Sequence, residues 1–359
     1  MKTNVSVNID TVEFSVSGER NTFNILKTTT STIFNEDGEI IDSYQNRKAI
    51  DGKFGIHKLN ARTLHSGAKL AIEGSPYAFK YGQNIYTSSE MKTGVINALK
   101  NVCTELGIET TKIQKQKWKA GEIDLNRVDL AVHFKLSSEE ECLDVLRQVR
   151  RQLEEQGGST KSNGSTVCWT PKDGKEYSIS FYAKGPQMRM QTSLNKLPWK
   201  DKLLNECESI LRVEVRLRAL ALRKLGLDKV SAWTADSAEV AFRTYFSRLR
   251  LLEVTSGPLT AEELKDLPNN LRHVYALHKA GYNLKLIYPE GTLRKHLASF
   301  RKLKIDLKCP NQEAPIVLSL YKFLSPKRTI QCAPAWMMEE GLVSPINNEM
   351  QHLIAVESP

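Results

Sequence analysis

The chain has 359 residues, 40% of them hydrophobic, and carries 51 Lys and Arg against 41 Asp and Glu, a formal net charge of +10. At roughly 100–200 residues per domain this suggests about two domains with packed cores, which excludes wholesale disorder, and the basic excess favours nucleic acid as a partner. Solenoid, collagen and coiled-coil classes drop out for want of a repeat, and no stretch approaches the roughly 18 apolar residues of a membrane span.

The first residues, MKTNVSVNID, hold no apolar leader, so the protein is expected to be neither exported nor membrane-spanning. Up to about Arg62, short alternating segments such as NVSVNIDTVEFSV predict strands and loops, to which no chemistry is assigned. AKLAIEG reads as a strand. SEMKTGVINALKNVCTELG reads as a helix, with Val95, Leu99, Val102 and Leu106 at helical spacing and a stop at Gly107. After a strong strand, SSEEECLDVLRQVRRQLEEQGG predicts a second helix, capped by serine and ending at Gly157. TVCW, the turn PKDGK and EYSISFYAK predict a hairpin, and the strand LRVEVRLR leads into a helix near ALRKLG. Beyond Asp228 the pattern turns helical, and from about residue 311 it reads as an irregular tail that packs only locally. The six cysteines are scattered, without zinc-ligand spacing, and read as ordinary thiols.

Four strands alternate so that each has one apolar and one polar face. NRVDLAVHF sets Arg127, Asp129 and His133 opposite Val128, Leu130, Val132 and Phe134. YSISFYAK groups Ser178, Ser180, Tyr182 and Lys184, LRVEVRLR groups Arg212, Glu214, Arg216 and Arg218, and AKLAIE sets Lys69 and Glu73 apart from Leu70 and Ile72. An antiparallel sheet with one wet face needs no more than this pattern. The side chains collected there also suit phosphodiester chemistry, because carboxylates can hold Mg²⁺ or Mn²⁺ and an ionised tyrosine can attack phosphorus. Attack by Tyr182 would leave a 5′-phosphotyrosine and a free 3′-hydroxyl, keeping the ester so that rejoining needs no ATP. The chain accordingly lacks a GxxxxGK[ST] phosphate loop.

The ordered set IEGSPYAFKYGQN, LNRVDLAVHF, SISFYAKGP, LRVEVRLRALALRKLGL and HKAGYNLKLIYPEGTLRKHLASFRKLKIDL resembles the gene II replication initiators of filamentous phages, including their gene X-type C-terminal segment. The resemblance implies a site-specific enzyme that nicks the replicative form at its origin and starts rolling-circle replication. It implies Tyr182 as nucleophile beside Lys184, Arg127 and Asp129 as the Arg-x-Asp element, and Arg212 and Glu214 as the Arg-x-Glu element. Asp129 and Glu214 are the implied metal ligands, Glu73 and His133 the weaker candidates, and Mg²⁺ or Mn²⁺ the ion. Where many members of the family it resembles carry Gly-His-Asn, this chain has Gly82, Gln83 and Asn84, with glutamine in place of a histidine that could bind metal.

From Thr292 to Pro310 there are six Lys or Arg against one acid, with Leu293, Leu297 and Phe300 as a buried stripe and Thr292 as the expected cap. After LRHVYALHKAG this suggests a helix-turn-helix whose second helix offers Arg294, Lys295, Arg301 and Lys302 to DNA. A second basic set, Lys112, Lys115, Lys117 and Lys119 around Trp118, would touch phosphate and stack a base.

The expectation is therefore an α+β protein: an antiparallel-sheet nicking domain over residues 1–228, a helical DNA-binding region over 229–310 and an irregular tail over 311–359. Expected partners are origin DNA of the replicative form together with a host helicase and a host DNA polymerase in the bacterial cytoplasm, with an oligomer on the DNA left open and no membrane. The competing classes are a non-catalytic origin binder or transcriptional regulator, and an RNA- or protein-binding module.

Overall fold

A computed structural model describes residues 6–18, 23, 30–34, 37, 39–45, 47–249, 264–265, 267–279, 282, 284–303, 305, 307, 324–330 and 332–343. In chain order they form β1 (Asn8–Ser17), β2 (Thr30–Phe34), β3 (Ile40–Gln45), β4 (Lys48–Asp51), β5 (Lys58–Leu64), β6 (Lys69–Gly74), α1 (Pro76–Tyr81), α2 (Met91–Glu105), α3 (Lys112–Ala120), β7 (Asp124–Lys135) and α4 (Glu139–Glu155). There follow β8 (Ser159–Ser162), β9 (Thr166–Thr170), β10 (Tyr177–Ala183), α5 (Lys184–Arg189), α6 (Lys200–Cys207), β11 (Ile210–Arg218), α7 (Ala219–Leu225) and α8 (Ser237–Phe246). Nine strands make one antiparallel sheet in the order β4-β5-β6-β1-β7-β11-β10-β9-β8, while β2 and β3 pair separately. The expected α+β class is observed.

The alternating apolar residues build the core. Phe14, Leu70, Ile72, Leu130, Val132, Ile179, Phe181, Val213 and Val215 share one buried cluster with residues of α2, α4, α7 and α8. In α4 the Ser138 hydroxyl caps the Glu141 N–H and three glutamates fill the first turn, favourable for the exposed N–H groups and the helix dipole. Val145, Leu146, Val149 and Leu153 then seal its inner face, each aliphatic burial worth roughly 1.5–3 kcal/mol. The hairpin of β9 and β10 forms as expected. Residues of α8 lie in this same core, where Tyr245 stacks edge-on against Tyr177 at 4.7 Å. The α3 lysines are exposed, but Trp118 is buried in the core on the inner side of that helix, so its ring is closed to base stacking.

The polar face departs from the expected wet surface. At the end holding the start of β11, a second apolar cluster covers it: Ile85, Met188, Trp199, Leu203 and Ile210 pack with Ala333, Met337, Leu342 and Val343. The tail therefore does not pack only locally. Thr329 bridges Phe134 of β7, and the Ile330 N–H donates to the His133 carbonyl at 2.9 Å. The short helix Ala335–Glu339 lies in this returning segment. Apolar side chains spaced through a Pro-rich stretch supply the contact, although they have no helix or strand period.

The helices Asn269–Lys279, Leu284–Ile287 and Glu290–Lys302 form a unit with its own core of Leu271, Val274, Tyr275, Leu284, Leu293 and Phe300. The last helix begins at Glu290, with the Leu293 N–H donating to the Pro289 carbonyl, so Thr292 lies inside its first turn rather than at its cap. Among the described residues no helix is long and apolar enough to cross a membrane. Cys103, Cys142, Cys168, Cys207 and Cys332 are free thiols, while Cys309 lies outside the described residues.

Candidate active site

Strand register brings the predicted side chains together. Tyr182 pairs with Arg212, and Arg212 with His133, in one row across β10, β11 and β7. The Tyr182 hydroxyl donates to Glu214 Oε1 at 2.5 Å, and Arg212 Nε donates to the same oxygen at 2.7 Å. Arg212 Nη2 pairs with Asp10 at 2.9 Å, while its Nη1 donates to the Asn84 carbonyl at 2.5 Å and lies 3.1 Å from His133 Nε2. Lys184 opens α5 directly after β10, and its ammonium donates to Asn84 Oδ1 and Gln187 Oε1, both at 2.8 Å. Asn84 Nδ2 closes the ring by donating to Asp10 at 3.2 Å.

This centre is closed. Arg212 and Lys184 have no exposed surface and Tyr182 is 8% exposed. Burial, reinforced by Arg212, brings the Lys184 ammonium down to about 8. Burial drives the Tyr182 phenol well above its ordinary 10.0; Arg212 pulls against it, and the charges of Glu214 and Asp10 add to it. His133 is pushed well below 6.5 by burial and by Arg212 and Lys184, so its ring is neutral near pH 7. Burial would raise Asp10, but Arg212 and Lys184 outweigh it and hold the carboxyl below its ordinary value.

Along the same face runs a more open ion-pair ladder. Arg127 binds Asp129 and reaches Glu73 at 2.9 Å, and Arg47 also pairs with Glu73. Arg216, with 41% of its side chain exposed, holds Asp129 at 3.2 Å, and Arg62 holds Glu13 at 2.7 Å. Asp129 is raised by its burial although Arg127 and Arg216 oppose this. The four expected metal ligands are thus spread between two centres: Asp129 and Glu73 on the ladder, Glu214 and His133 around Arg212. No group of three His, Cys, Asp or Glu among the described residues could hold an ion. The Arg212 guanidinium occupies the point where Asp10, Glu214 and His133 converge, so as arranged these residues do not fit Mg²⁺ or Mn²⁺.

Asp10, Asn84 and the half-buried His57 are the side chains that sequence patterning missed. His57 is brought down to about 4 by burial and by the charge of Lys184. Asp10 follows Ile9 at a register shift of β1, and such irregularities redirect side chains at functional sites. Tyr177, the neighbouring tyrosine in β10, is buried on the opposite face against Trp169 and Tyr245. On the helix Glu290–Lys302, Arg294, Lys295 and Lys302 are exposed, with Arg294 paired to Glu290 at 3.0 Å. The Arg301 side chain lies outside what the structure describes.

One face of the continuous antiparallel sheet thus carries a nearly buried tyrosine, carboxylates and a guanidinium, and a basic helical unit lies further along the chain. The family described as the N-terminal part of the phage replication-associated protein, the gene II product, matches residues 8–236, more than half of the chain, and the chain belongs to it. It is 23% identical over 251 residues to the replication-associated protein of the same description from Enterobacteria phage I2-2, covering 69% of this chain and 71% of that one. No solved structure matches. Membership supports a rolling-circle type of replication initiator with nicking activity in general terms.

Proposed function

We propose that the chain nicks one strand of a phage replicative form at its origin and later rejoins the displaced strand, with Tyr182 as nucleophile. The observation that carries this is the 2.5 Å hydrogen bond from the Tyr182 hydroxyl to Glu214, with Arg212 and Lys184 alongside. Glu214 takes the phenolic proton as the Tyr182 oxygen bonds to phosphorus, which offsets the raised phenol and makes Glu214 a general base. The bond from phosphorus to the 3′ oxygen breaks, and Lys184, which has a third N–H beyond the two that bind Asn84 and Gln187, protonates that oxygen. Reversal of the same steps rejoins a strand. Arg212 holds Glu214 and adds fixed positive charge near the transferring phosphoryl group.

Arg127, Arg216 and Arg218 border the approach on the sheet face and would hold the strand. Tyr182 is nearly enclosed, so a phosphate reaches it only when the side chains around it move. Arg294, Lys295, Arg301 and Lys302 would hold origin duplex, a host polymerase would extend the 3′-hydroxyl and a host helicase would unwind.

Supercoiled origin plasmid incubated with wild type and with Tyr182→Phe, with Mg²⁺ and with EDTA, tests the proposal. Wild type should nick and form a protease-sensitive adduct while the variant does neither. The EDTA arm reports whether a divalent ion takes part. Equal nicking by the variant would refute Tyr182, and origin binding without nicking by wild type would favour the non-catalytic binder.

A further inference from the structure

Gln83 uses its amide in full. Its Oε1 accepts from the N–H groups of Ile85 at 2.7 Å and Tyr86 at 2.9 Å, while its Nε2 donates to the carbonyls of Tyr86 at 2.9 Å and Leu342 at 2.8 Å. A neutral imidazole offers one donor and one acceptor and could not make all four bonds. Gln83 has no exposed surface. The next residue, Asn84, holds Lys184, Asp10 and Arg212 through its side chain and carbonyl. On the other side of Gln83, Leu342 is anchored with Met337 and Val343 against Trp199 and Leu203. The chain therefore leaves the sheet core at Leu249, builds the basic helical unit and returns to within one hydrogen bond of the loop that frames Tyr182.

We propose that residues 329–330 and 332–343 are a working part of the catalytic site: the Leu342 carbonyl holds Gln83, and Gln83 is a positioning residue that fixes Asn84 between Asp10, Lys184 and Arg212. This role presupposes the Tyr182 chemistry above. It explains why a segment more than a hundred residues beyond β11 packs on the site, and it makes the alignment of Lys184 depend on the docking of that segment.

The groups facing Lys184 are Arg212 and Glu214 from β11, Tyr182 from β10, Asp10 from β1, Cys207 from α6, and Asn84 and Gln187 by hydrogen bonds. Its charge also acts on His133 and His57. Of these, Asn84 alone lies in the loop that Gln83 ties down, and its side-chain Oδ1, accepting from Lys184 at 2.8 Å, favours the charged ammonium. Loss of that contact therefore moves Lys184 further down, a change that loosened packing elsewhere would not cause.

The test measures single-turnover nicking against pH, with melting temperature alongside, for full-length Gln83→Glu, Met337→Ala and Asn84→Ala. Gln83→Glu keeps both acceptors and loses both donors, Met337→Ala loosens the segment through packing alone, and Asn84→Ala leaves the Gln83 and Leu342 contacts in place. Each should nick about a hundredfold more slowly, the order expected when a reacting group is misplaced by about 1 Å, and in Met337→Ala and Asn84→Ala, which add no charge, the alkaline limb should move below the wild-type position near 8. Wild-type rates, or lower melting temperatures with the limb unmoved, overturn the positioning role. Should Gln83→Glu or Met337→Ala fail to fold, Asn84→Ala decides: a wild-type profile for it also overturns the role. A wild type that forms no adduct refutes the Tyr182 chemistry, whereas an adduct-forming wild type with unshifted variants refutes the positioning role alone.

Discussion

Replacing Lys184 by methionine should make the protein more stable near neutral pH and less active. Lys184 is fully buried, and its displacement from 10.5 to about 8 corresponds to about 3 kcal/mol spent on keeping the ammonium charged. Below about 8 both folded and unfolded chains carry the proton and the cost is present in full. Between about 8 and 10.5 the folded chain releases the proton while the unfolded chain keeps it, so wild-type stability rises with pH. The stability gap between variant and wild type should therefore shift by about 2 kcal/mol in favour of wild type from about pH 7 to about pH 9.5. The loss of donors to Asn84 and Gln187, about 1 kcal/mol each, offsets part of the variant's gain but is nearly constant over that range. Urea unfolding of both proteins at the two pH values measures the gap. Nicking should fall by about 10²–10⁴-fold, as expected for loss of a proton donor. A gap that does not change with pH would refute the buried ammonium, and undiminished nicking would refute its role as donor.

Glu214→Gln keeps the shape of the side chain but removes the base, and single-turnover nicking should drop about 10²–10⁴-fold. Retention of wild-type rate would leave Tyr182 without its proton acceptor. Changing Lys295 or Lys302 to alanine should weaken origin binding and lower the salt-dependence slope by about one counterion each; unchanged slopes in salt titrations would show that neither touches phosphate. Gly121 ends α3 at φ +87°, and an added Cβ would come within 2.7 Å of the Ser231 N–H nitrogen, so Gly121→Ala should cost about 1–3 kcal/mol in urea unfolding. A neutral effect would show that this contact relaxes freely.

The sheet was legible because alternation is a local signal. Val128, Leu130, Val132 and Phe134 declare one face, and the register then aligns Tyr182, Arg212 and His133 without further information. The helix α4 was legible for the same reason, from its caps and spacing. What covers the polar face could not be read, because Leu342 and Met337 meet Trp199 across a long stretch of chain and show no period of their own. Asp10 was missed because the register shift in β1 breaks the alternation that would have marked it. The expected metal ligands lie on the face that alternation marks, but Arg127 stands between Glu73 and Asp129 and Arg212 between Asp10 and Glu214, a separation that alternation within single strands does not encode. Trp118 read as an available ring because its lysine neighbours are exposed, although one helix carries both faces.

The most direct test of the central claim is peptide mapping of the covalent adduct formed on origin DNA. After nicking, nuclease trimming and proteolysis, mass spectrometry should place a nucleotide on the peptide containing Tyr182, attached through a 5′ phosphate. A nucleotide mapped to any other residue, or efficient nicking with no protein-linked DNA, would contradict it.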